Sequence, residues 1–266
     1  MSLISLSAFD LSIAALLVLA LALSSALLGL GLGRQLLVAA LRTTIQLLLI
    51  GFILKFLFDN LHLGWMSLVA TVMLVAAGYE VMQRQKHRFR GVWGYGMGTL
   101  SMFLSSFSLA LFSLVVIIGN DPWYQPQYAI PLLGMMLGNT MSGISLGLDR
   151  LTQSARQQRA AIEARLMLGH SWSQAISLIR HESMRVGMIP MINAMAAAGL
   201  VSLPGMMTGQ ILAGSPPLEA VKYQILIMFL ITVGTGFGTM TAVWLGARRL
   251  FDERHRLRLE RLIEKE

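Results

Sequence analysis

Two short segments carry side chains whose types and spacing could bind an ion or a small polar molecule. They are the near-repeats GMMLGN, at residues 134–139, and GMMTGQ, at residues 205–210. Methionine thioethers are soft ligands that suit ions such as Cu(I), and an amide in an apolar segment needs a polar partner. We therefore predict that the two segments face each other and line a pathway. The side chains predicted to line it are Asn139, Gln210, Met135, Met136, Met206 and Met207.

The same segments also allow a purely structural interpretation. Each has glycine at positions i and i+4, a pattern that lets two helices approach closely, and methionine fills the gaps between them. The pattern recurs at residues 143–147 and 234–238, and proline disfavours a straight helix. On this interpretation the residues serve as hinge or packing positions. These positions are Pro204, Gly205, Gly209, Gly134 and Gly138.

The elements that hold these segments are apolar runs long enough to cross a bilayer. Of the 266 residues, 55% are hydrophobic and only 13% charged, whereas a soluble domain is about a quarter charged. The mean hydropathy is +0.66. We predict an all-α transmembrane bundle of about seven spans, forming one domain over residues 1–266. The spans are placed at about residues 9–32, 37–58, 63–82, 92–118, 128–148, 189–214 and 221–247.

The predicted sixth span, residues 189–214, has an unusual composition. It is apolar, yet it contains Pro190, Pro204, Asn193 and Gln210. A break in a membrane helix persists where protein or a wet cavity satisfies the freed backbone groups, and many transporters hold or gate their substrate at such breaks. The segment either crosses the membrane with a break or is re-entrant, and a kinked packing helix is the structural alternative.

Basic residues are distributed unevenly between the predicted loops. Most of the 21 Lys and Arg residues fall in the loops after odd-numbered spans and in the tail, residues 248–266. Because Lys and Arg concentrate in cytoplasmic loops, we predict an outer amino terminus and a cytoplasmic carboxyl terminus. The tail is predicted to be an amphipathic helix that lies on anionic lipid or touches a partner.

Polar side chains near the span ends have mixed interpretations. Glu80 and Asp149 lie at cytoplasmic ends, where each either receives an entering cation or pairs with a nearby arginine. Gln46 and Arg42 share a face of the second span and could contact substrate, although Arg42 could instead reach the inner surface. The histidines form no ligand spacing, so the metal ligands stay unknown.

The polar stretch between the fifth and sixth spans, about residues 149–186, predicts two amphipathic helical segments separated by Gly169. Such a pair either docks a cytoplasmic partner or merely tethers two spans. The chain has no cysteine, no Gly-x-x-x-x-Gly-Lys-Ser/Thr, no His-Glu-x-x-His and no Gly-x-Ser-x-Gly. We therefore expect no enzymatic activity and no cofactor in this chain, with energy supplied by a partner.

The chain resembles the FetB/YbbM-type permeases of ABC transporters, which include bacterial iron-export permeases and plant aluminium-tolerance relatives. The resemblance lies in residues 42–58, 130–151 and 199–225, which read RTTIQLLLIGFILKFLF, IPLLGMMLGNTMSGISLGLDRL and GLVSLPGMMTGQILAGSPPLEAVKYQI. Glu163, Ala164 and Gly169 also resemble the coupling-helix signature of such permeases, whose loop enters a cleft of the ATPase subunit.

The resemblance implies a permease that forms a homodimer in the lipid bilayer of the cell membrane (inner or plasma membrane) and pairs with two copies of a FetA-like ATPase. That partner would bind ATP and Mg, and the complex would export iron or a related metal ion. One alternative is the same fold exporting a non-metal substrate such as a nucleotide sugar. Another is a stand-alone secondary carrier, which would need a mid-span acid or histidine that is not evident. Nothing indicates nucleic acid as a partner.

Overall fold

The computed structural model describes residues 7–264, which are predominantly helical. Contacts divide the chain into two compact units, Met1–His62 with Leu212–Gly214, and Leu63–Ile211 with Ser215–Glu266. Among the described residues, six helices are long and apolar enough to cross a membrane. The all-α polytopic class is therefore confirmed. These helices cover Ala8–Leu27, Gly33–Asp59, Leu63–Arg84, Val92–Ile118, Pro126–Gln157 and Pro217–Arg249.

The first unit contains α1 (Ala8–Leu27) and α2 (Gly33–Asp59). A capping box starts α1, in which the Ser7 hydroxyl accepts from the Asp10 N–H and the Asp10 carboxylate accepts from the Ser7 N–H at 2.8 Å. A β-carbon on Gly33 would lie 3.1 Å from the Ala22 carbonyl oxygen, so α1 and α2 approach closely there. Most apolar side chains of both helices are exposed in the chain, as expected of surfaces that face lipid or another subunit.

Three helices form the centre of the second unit: α6 (Pro126–Gln157), α9 (Ser177–Ala197) and α11 (Pro217–Arg249). Small residues let them approach closely. A β-carbon on Gly143 would lie 2.6 Å from Thr235 Cγ2 and 3.0 Å from the Gly187 carbonyl oxygen, and one on Gly147 would lie 2.9 Å from Val243 Cγ2. The order of these contacts shows that α6 and α11 run parallel.

Two further elements pack on this centre, α3 (Leu63–Arg84) and the rod that spans Val92–Ile118. The rod alternates between helix types, because π-helical turns at Phe103–Phe107 and Ser113–Ile118 lie on either side of a short α-helix, Ser108–Phe112. The hydroxyl of Ser106 donates to Thr140 Oγ1 at 2.7 Å and joins the rod to α6. Extra π-turns are found most often at functional sites. The α-helical parts are α4 (Val92–Met102) and α5 (Ser108–Phe112).

The predicted sixth span is a broken element in the structure. α9 ends at Ala197, Gly199 adopts a φ of +83°, and α10 (Gly205–Leu212) begins directly after Pro204. The segment does not turn back on itself, since Met195 lies against Thr232 and Met206 lies further along toward the beginning of α11. The break therefore begins at the left-handed Gly199 and ends at Pro204, whose missing backbone donor is tolerated directly before the first turn of α10.

The prediction of an amphipathic helix in the tail is wrong. α11 ends at Arg249, and the chain then forms a compact turn around Asp252, a 3-10 turn at Leu259–Arg261, and strand β2 (Leu262–Glu264). β2 pairs antiparallel with β1 (His87–Phe89). The physical reason is local competition, because the Asp252 carboxylate accepts from the N–H of Arg256 at 2.9 Å and favours a turn over helix continuation.

Two short helices separate α6 from α9. They are α7 (Arg159–Met167) and α8 (Trp172–Ala175), and Gly169 lies between them with a φ of +87°. α8 begins with a capping box in which the Ser171 hydroxyl accepts from the Gln174 N–H. We call the segment from α7 through α8 the coupling loop.

Candidate transport cleft and coupling loop

The structure brings one methionine of each near-repeat into the same cleft. Met135 on α6 and Met206 on α10 line a narrow cavity of about 20 Å³ in the second unit. Ser113, Tyr128 and Tyr223 line the same cavity. A space of this size holds about one water molecule or one bare ion. We call this cavity the methionine cleft.

The other predicted pathway residues are placed differently. Met136 is fully buried, and its methyl group would lie 3.1 Å from a β-carbon on Gly234, so it belongs to the packing between α6 and α11. Asn139 is exposed in the chain, and its amide donates to the Met135 carbonyl oxygen at 2.8 Å. Gln210 Oε1 is buried and has no hydrogen-bond partner among the described residues. Met207 is partly buried.

The glycines of the near-repeats do not mediate close packing within the chain. A β-carbon at Gly138, Gly205 or Gly209 would meet no other atom within 4 Å. Gly134 is the exception, because a β-carbon there would lie 3.3 Å from the methyl group of Met73. The close helix contacts belong instead to Gly143 and the other glycines of the α6–α9–α11 centre.

Two functional candidates were missed by the sequence reasoning. Ser113 Oγ lies in the methionine cleft and Gln224 Oε1 lies on α11, and both are buried without a hydrogen-bond partner in the described part of the chain. A buried orphan oxygen needs a ligand such as water or an ion. The serine-rich run at residues 101–113 is the signal that could have pointed to Ser113.

The lining of the methionine cleft is mostly apolar. Two methionines contribute thioethers, Ser113, Gln127 and two tyrosines contribute neutral polar groups, and no carboxylate or imidazole lines the cavity. Within residues 7–264 no cluster of three His, Cys, Asp or Glu side chains could hold a metal ion. Thioethers favour soft monovalent ions, whereas carboxylate and imidazole favour iron.

The two predicted entrance acids both have partners. Asp149 Oδ1 accepts from the Lys86 N–H at 2.8 Å, so this carboxylate anchors the start of the loop that follows α3. Glu80 Oε2 lies 3.9 Å from Arg84 Nε, and Arg84 in turn donates to Ser142 Oγ at 3.3 Å. Glu80 therefore pairs with a nearby arginine, as one alternative predicts, whereas Asp149 accepts from a backbone N–H rather than from an arginine.

Gln46 lies in the first unit. It is exposed on α2, and Arg42 is exposed one turn before it on the same helix. Their spacing keeps them on one face, as expected for positions i and i+4.

The coupling loop exposes an apolar tip. Met167 and Leu168 are 83% and 78% exposed, and Gly169 follows them in the left-handed conformation. Glu163 and Ala164 lie on α7 before this tip, and Glu163 pairs with Arg159 at 2.8 Å. Glycine adopts the left-handed conformation without steric cost, so the chain can turn sharply directly after Met167 and Leu168.

The tail holds the second half of the coupling loop in place. His255 Nδ1 accepts from the Trp172 N–H at 3.4 Å, and the rings of Trp172 and Phe251 lie 6.1 Å apart. The guanidinium of Arg248 lies 5.3 Å from the centre of the Trp172 ring, a cation–π distance. The beginning of α8 is therefore tied to the end of α11.

These features define a class: a multi-pass helical membrane protein with a broken span and a structured polar loop that has an apolar tip. Comparison with known proteins then gives the family. The model of the uncharacterised protein family UPF0014 matches residues 8–251. The chain belongs to the UPF0014 family and is a multi-pass protein of the cell membrane.

The relatives cover most of the chain. It is 41% identical over 229 residues to UPF0014 membrane protein slr1647 of Synechocystis sp., covering 86% of this chain and 88% of that protein. It is 32% identical to Protein ALUMINUM SENSITIVE 3 of Arabidopsis thaliana, covering 81% and 77%. It is 30% identical to the probable iron export permease protein FetB of Escherichia coli, covering 84% of each. The resemblance to the FetB-type permeases is thereby confirmed. No solved structure shows a significant match.

Proposed function

We propose that this chain is the permease subunit of an ATP-driven exporter of the ABC type. The observation that carries the proposal is the apolar tip of the coupling loop, Met167 and Leu168. Large apolar side chains exposed on a polar loop mark a surface that another protein covers. In the predicted orientation the loop faces the cytoplasm, where an ATPase subunit would receive it.

The partner would supply the energy that this chain cannot. The sequence has no P-loop, so ATP and Mg would bind the ATPase, in two copies on a homodimer of the permease. Movement of the coupling loop would reach the bundle along α9, which continues directly from α8. Trp172 would carry the same movement to the end of α11.

The methionine cleft is the proposed point where this movement acts on the cargo. It lies where the broken α9–α10 segment meets α6 and α11. Discontinuous helices in transporters place substrate at such breaks. A change in the angle at Pro204 would open or close the cleft by moving Met206 relative to Met135.

Iron or a related metal ion is the cargo that the relatives favour, because FetB is named a probable iron export permease. The methionine cleft favours a second candidate, a soft monovalent metal ion, since two thioethers line it and no carboxylate or imidazole does. A hard ion that keeps part of its hydration shell is too large for a cavity of about 20 Å³, so its passage would require the cleft to widen.

Purification from native membranes followed by reconstitution tests the proposal. We expect an ATPase to co-purify, and we expect the complex in liposomes to hydrolyse ATP faster when the transported ion is present. The double variant Met167→Asp/Leu168→Asp should lose the ATPase while the membrane domain stays folded, because both side chains are exposed and charge would be buried on docking.

The matched control is Met167→Leu/Leu168→Met, which keeps the tip apolar and should retain the partner. Iron, manganese, copper and a sugar nucleotide would be compared as stimulators. Isolation of an active transporter without any nucleotide-binding partner would overturn the proposal in favour of a secondary carrier. Stimulation by the sugar nucleotide alone would overturn the metal assignment.

A further inference from the structure

Another cavity of the second unit, far larger than the methionine cleft, lies at the end of α11. Its volume is about 620 Å³, and it opens between Trp93 at the beginning of α4 and the folded tail. Its lining is strongly basic. Two acids line it, Asp252 and Glu253. The arginines that line it are Arg248, Arg249, Arg254, Arg256 and Arg261.

The acids do not neutralise this cavity. Asp252 is already used, because its Oδ2 lies 2.8 Å from Arg256 Nε and 2.9 Å from Arg258 Nη2. Arg249 and Arg254 form no ion pair with any carboxylate in the described range 7–264. Each arginine brings five N–H donors, so hydrogen-bond donors outnumber the carboxylate acceptors that line the cavity.

Two of the arginines are held in fixed positions. The guanidinium of Arg249 lies over the Trp93 ring, 4.6 Å from its centre. Arg261 Nη1 donates to the Arg249 carbonyl oxygen at 2.7 Å, which brings a second cation beside the first. Fixed cations that lie next to each other and outnumber the neighbouring acids favour an anion between them, and the planar guanidinium matches a phosphate group in particular.

A second cavity of about 310 Å³ shares the same residues. Trp93, Arg249 and Arg261 line both cavities. The second adds Arg90 from the turn after β1 and the ion pair of Arg258 with Glu260, at 3.2 Å. The two cavities together therefore form one basic pocket on both sides of the Trp93–Arg249 pair, which we call the arginine pocket.

The arginine pocket lies where two candidate spans end. Trp93 is in the first turn of the span Val92–Ile118, and Arg249 is the final residue of the span Pro217–Arg249. Trp93 is half exposed and Val92 is 83% exposed, so the mouth of the pocket has an apolar rim. Tryptophan and arginine at the ends of spans lie at the depth of lipid headgroups.

We propose that the arginine pocket binds the phosphate of an anionic phospholipid headgroup. The paired cations bind the phosphate, and the apolar rim at Val92 and Trp93 receives the glycerol and acyl region, which a free phosphate does not have. Basic pockets beside membrane helices bind anionic headgroups in this way. The bound lipid bridges α4 and the tail, and so also supports the contact between the tail and Trp172.

Native mass spectrometry of the purified protein tests this inference, with phosphatidylglycerol, phosphatidylcholine and inorganic phosphate as probes. We expect phosphatidylglycerol to bind with measurable preference over phosphatidylcholine. Arg254→Gln should weaken that binding on the order of fivefold, and Arg249→Gln by a similar factor. Arg254 is exposed and forms no ion pair, so its variant leaves the tail folded.

Lys222→Gln is the matched control, since it removes one positive charge from the opposite end of α11 and should leave binding unchanged. The proposal would be overturned if Lys222→Gln lost as much phosphatidylglycerol binding as the arginine variants. It would also be overturned if wild type and both arginine variants bound the lipid with equal affinity. Binding of inorganic phosphate at the same affinity as the lipid would show that the pocket serves a soluble anion. None of these outcomes depends on whether an ATPase partner is found.

Discussion

Gly143 and Gly187 lie against each other where α6 crosses α9. A β-carbon on Gly187 would lie 2.5 Å from the Gly143 carbonyl oxygen and 2.6 Å from Thr239 Cγ2. Both neighbours are atoms that a packed helix cannot move freely. The crossing therefore requires glycine at both positions, and it sets the distance between the helix that continues the coupling loop and the centre of the bundle.

Gly187→Ala should destabilise the second unit. The added methyl group forces α6 and α9 apart, and overpacking of this kind costs about 1–3 kcal/mol. Thermal unfolding in detergent should show a lower Tm. Gly138→Ala is the control on α6, because a β-carbon there meets no atom within 4 Å and alanine favours helix by about 0.5–1 kcal/mol. A Tm for Gly187→Ala equal to or above that of wild type would contradict the packing described for this crossing.

Replacement of the cleft thioethers should reduce transport without unfolding the protein. Met135→Leu/Met206→Leu keeps the apolar volume but removes both sulfur atoms, and such swaps usually cost less than about 1.5 kcal/mol. We expect export in liposomes to fall severalfold if the cargo contacts sulfur. Met97→Leu changes a buried methionine outside the cleft and should export normally. Normal export by the double variant would exclude thioether ligation.

Gln210→Leu separates a transport role from a structural role. Its Oε1 is buried without a partner, so a structural glutamine should be replaced at little cost or with a gain in stability. We expect the variant to fold with an unchanged or higher Tm and to lose export. Asn139→Leu is the companion variant, because that amide is already bonded to its own helix. Full export by well-folded Gln210→Leu would remove this residue from the pathway.

Asp252→Asn should loosen the tail. Burial acts to raise the pKa of Asp252, but hydrogen bonds from Arg256 and Arg258 outweigh it and hold the pKa below its usual value. The ionised carboxylate therefore stabilises the folded tail above about pH 4, and this contribution is lost as the pH falls through the lower, folded-state pKa. At pH 7 the wild-type tail should resist trypsin, and Asp252→Asn should be cut faster at Arg254 and Arg256.

Glu253→Gln is the control for that experiment, since Glu253 is exposed and is adjacent in sequence. Its cleavage rate at pH 7 should match that of wild type. Equal protection of the tail in Asp252→Asn would show that β2 pairing alone holds it.

The apolar runs in the sequence predict most of the fold. They locate the six long helices to within a few residues at most ends, because burial in lipid requires a continuous apolar segment. Pro204 and Gly169 predict the helix break and the turn of the coupling loop from backbone geometry alone. The exception is α6, which continues to Gln157, well past the predicted end of its span.

What the sequence does not predict depends on contacts between distant segments. The tail has the alternating charge of an amphipathic helix, but β1 and Asp252 draw it into a strand and a turn. Likewise, the Gly-x-x-x-Gly pairs look alike in sequence, and only their neighbours in space decide which ones bring helices together. Ser113 becomes a candidate for contact with the cargo only in the structure, where it begins a π-helical turn and lines the methionine cleft.

The pairing of β1 with β2 has a consequence for synthesis in the cell. β1 follows α3, whereas β2 follows α11, so every later span is inserted before the partner strand emerges from the ribosome. Until then β1 has unpaired backbone groups, and His87 at its start lacks the Glu264 carboxylate that lies 3.8 Å away in the folded chain. Completion of this small sheet is thus a late assembly step, and it marks the chains whose insertion has run to the end of α11.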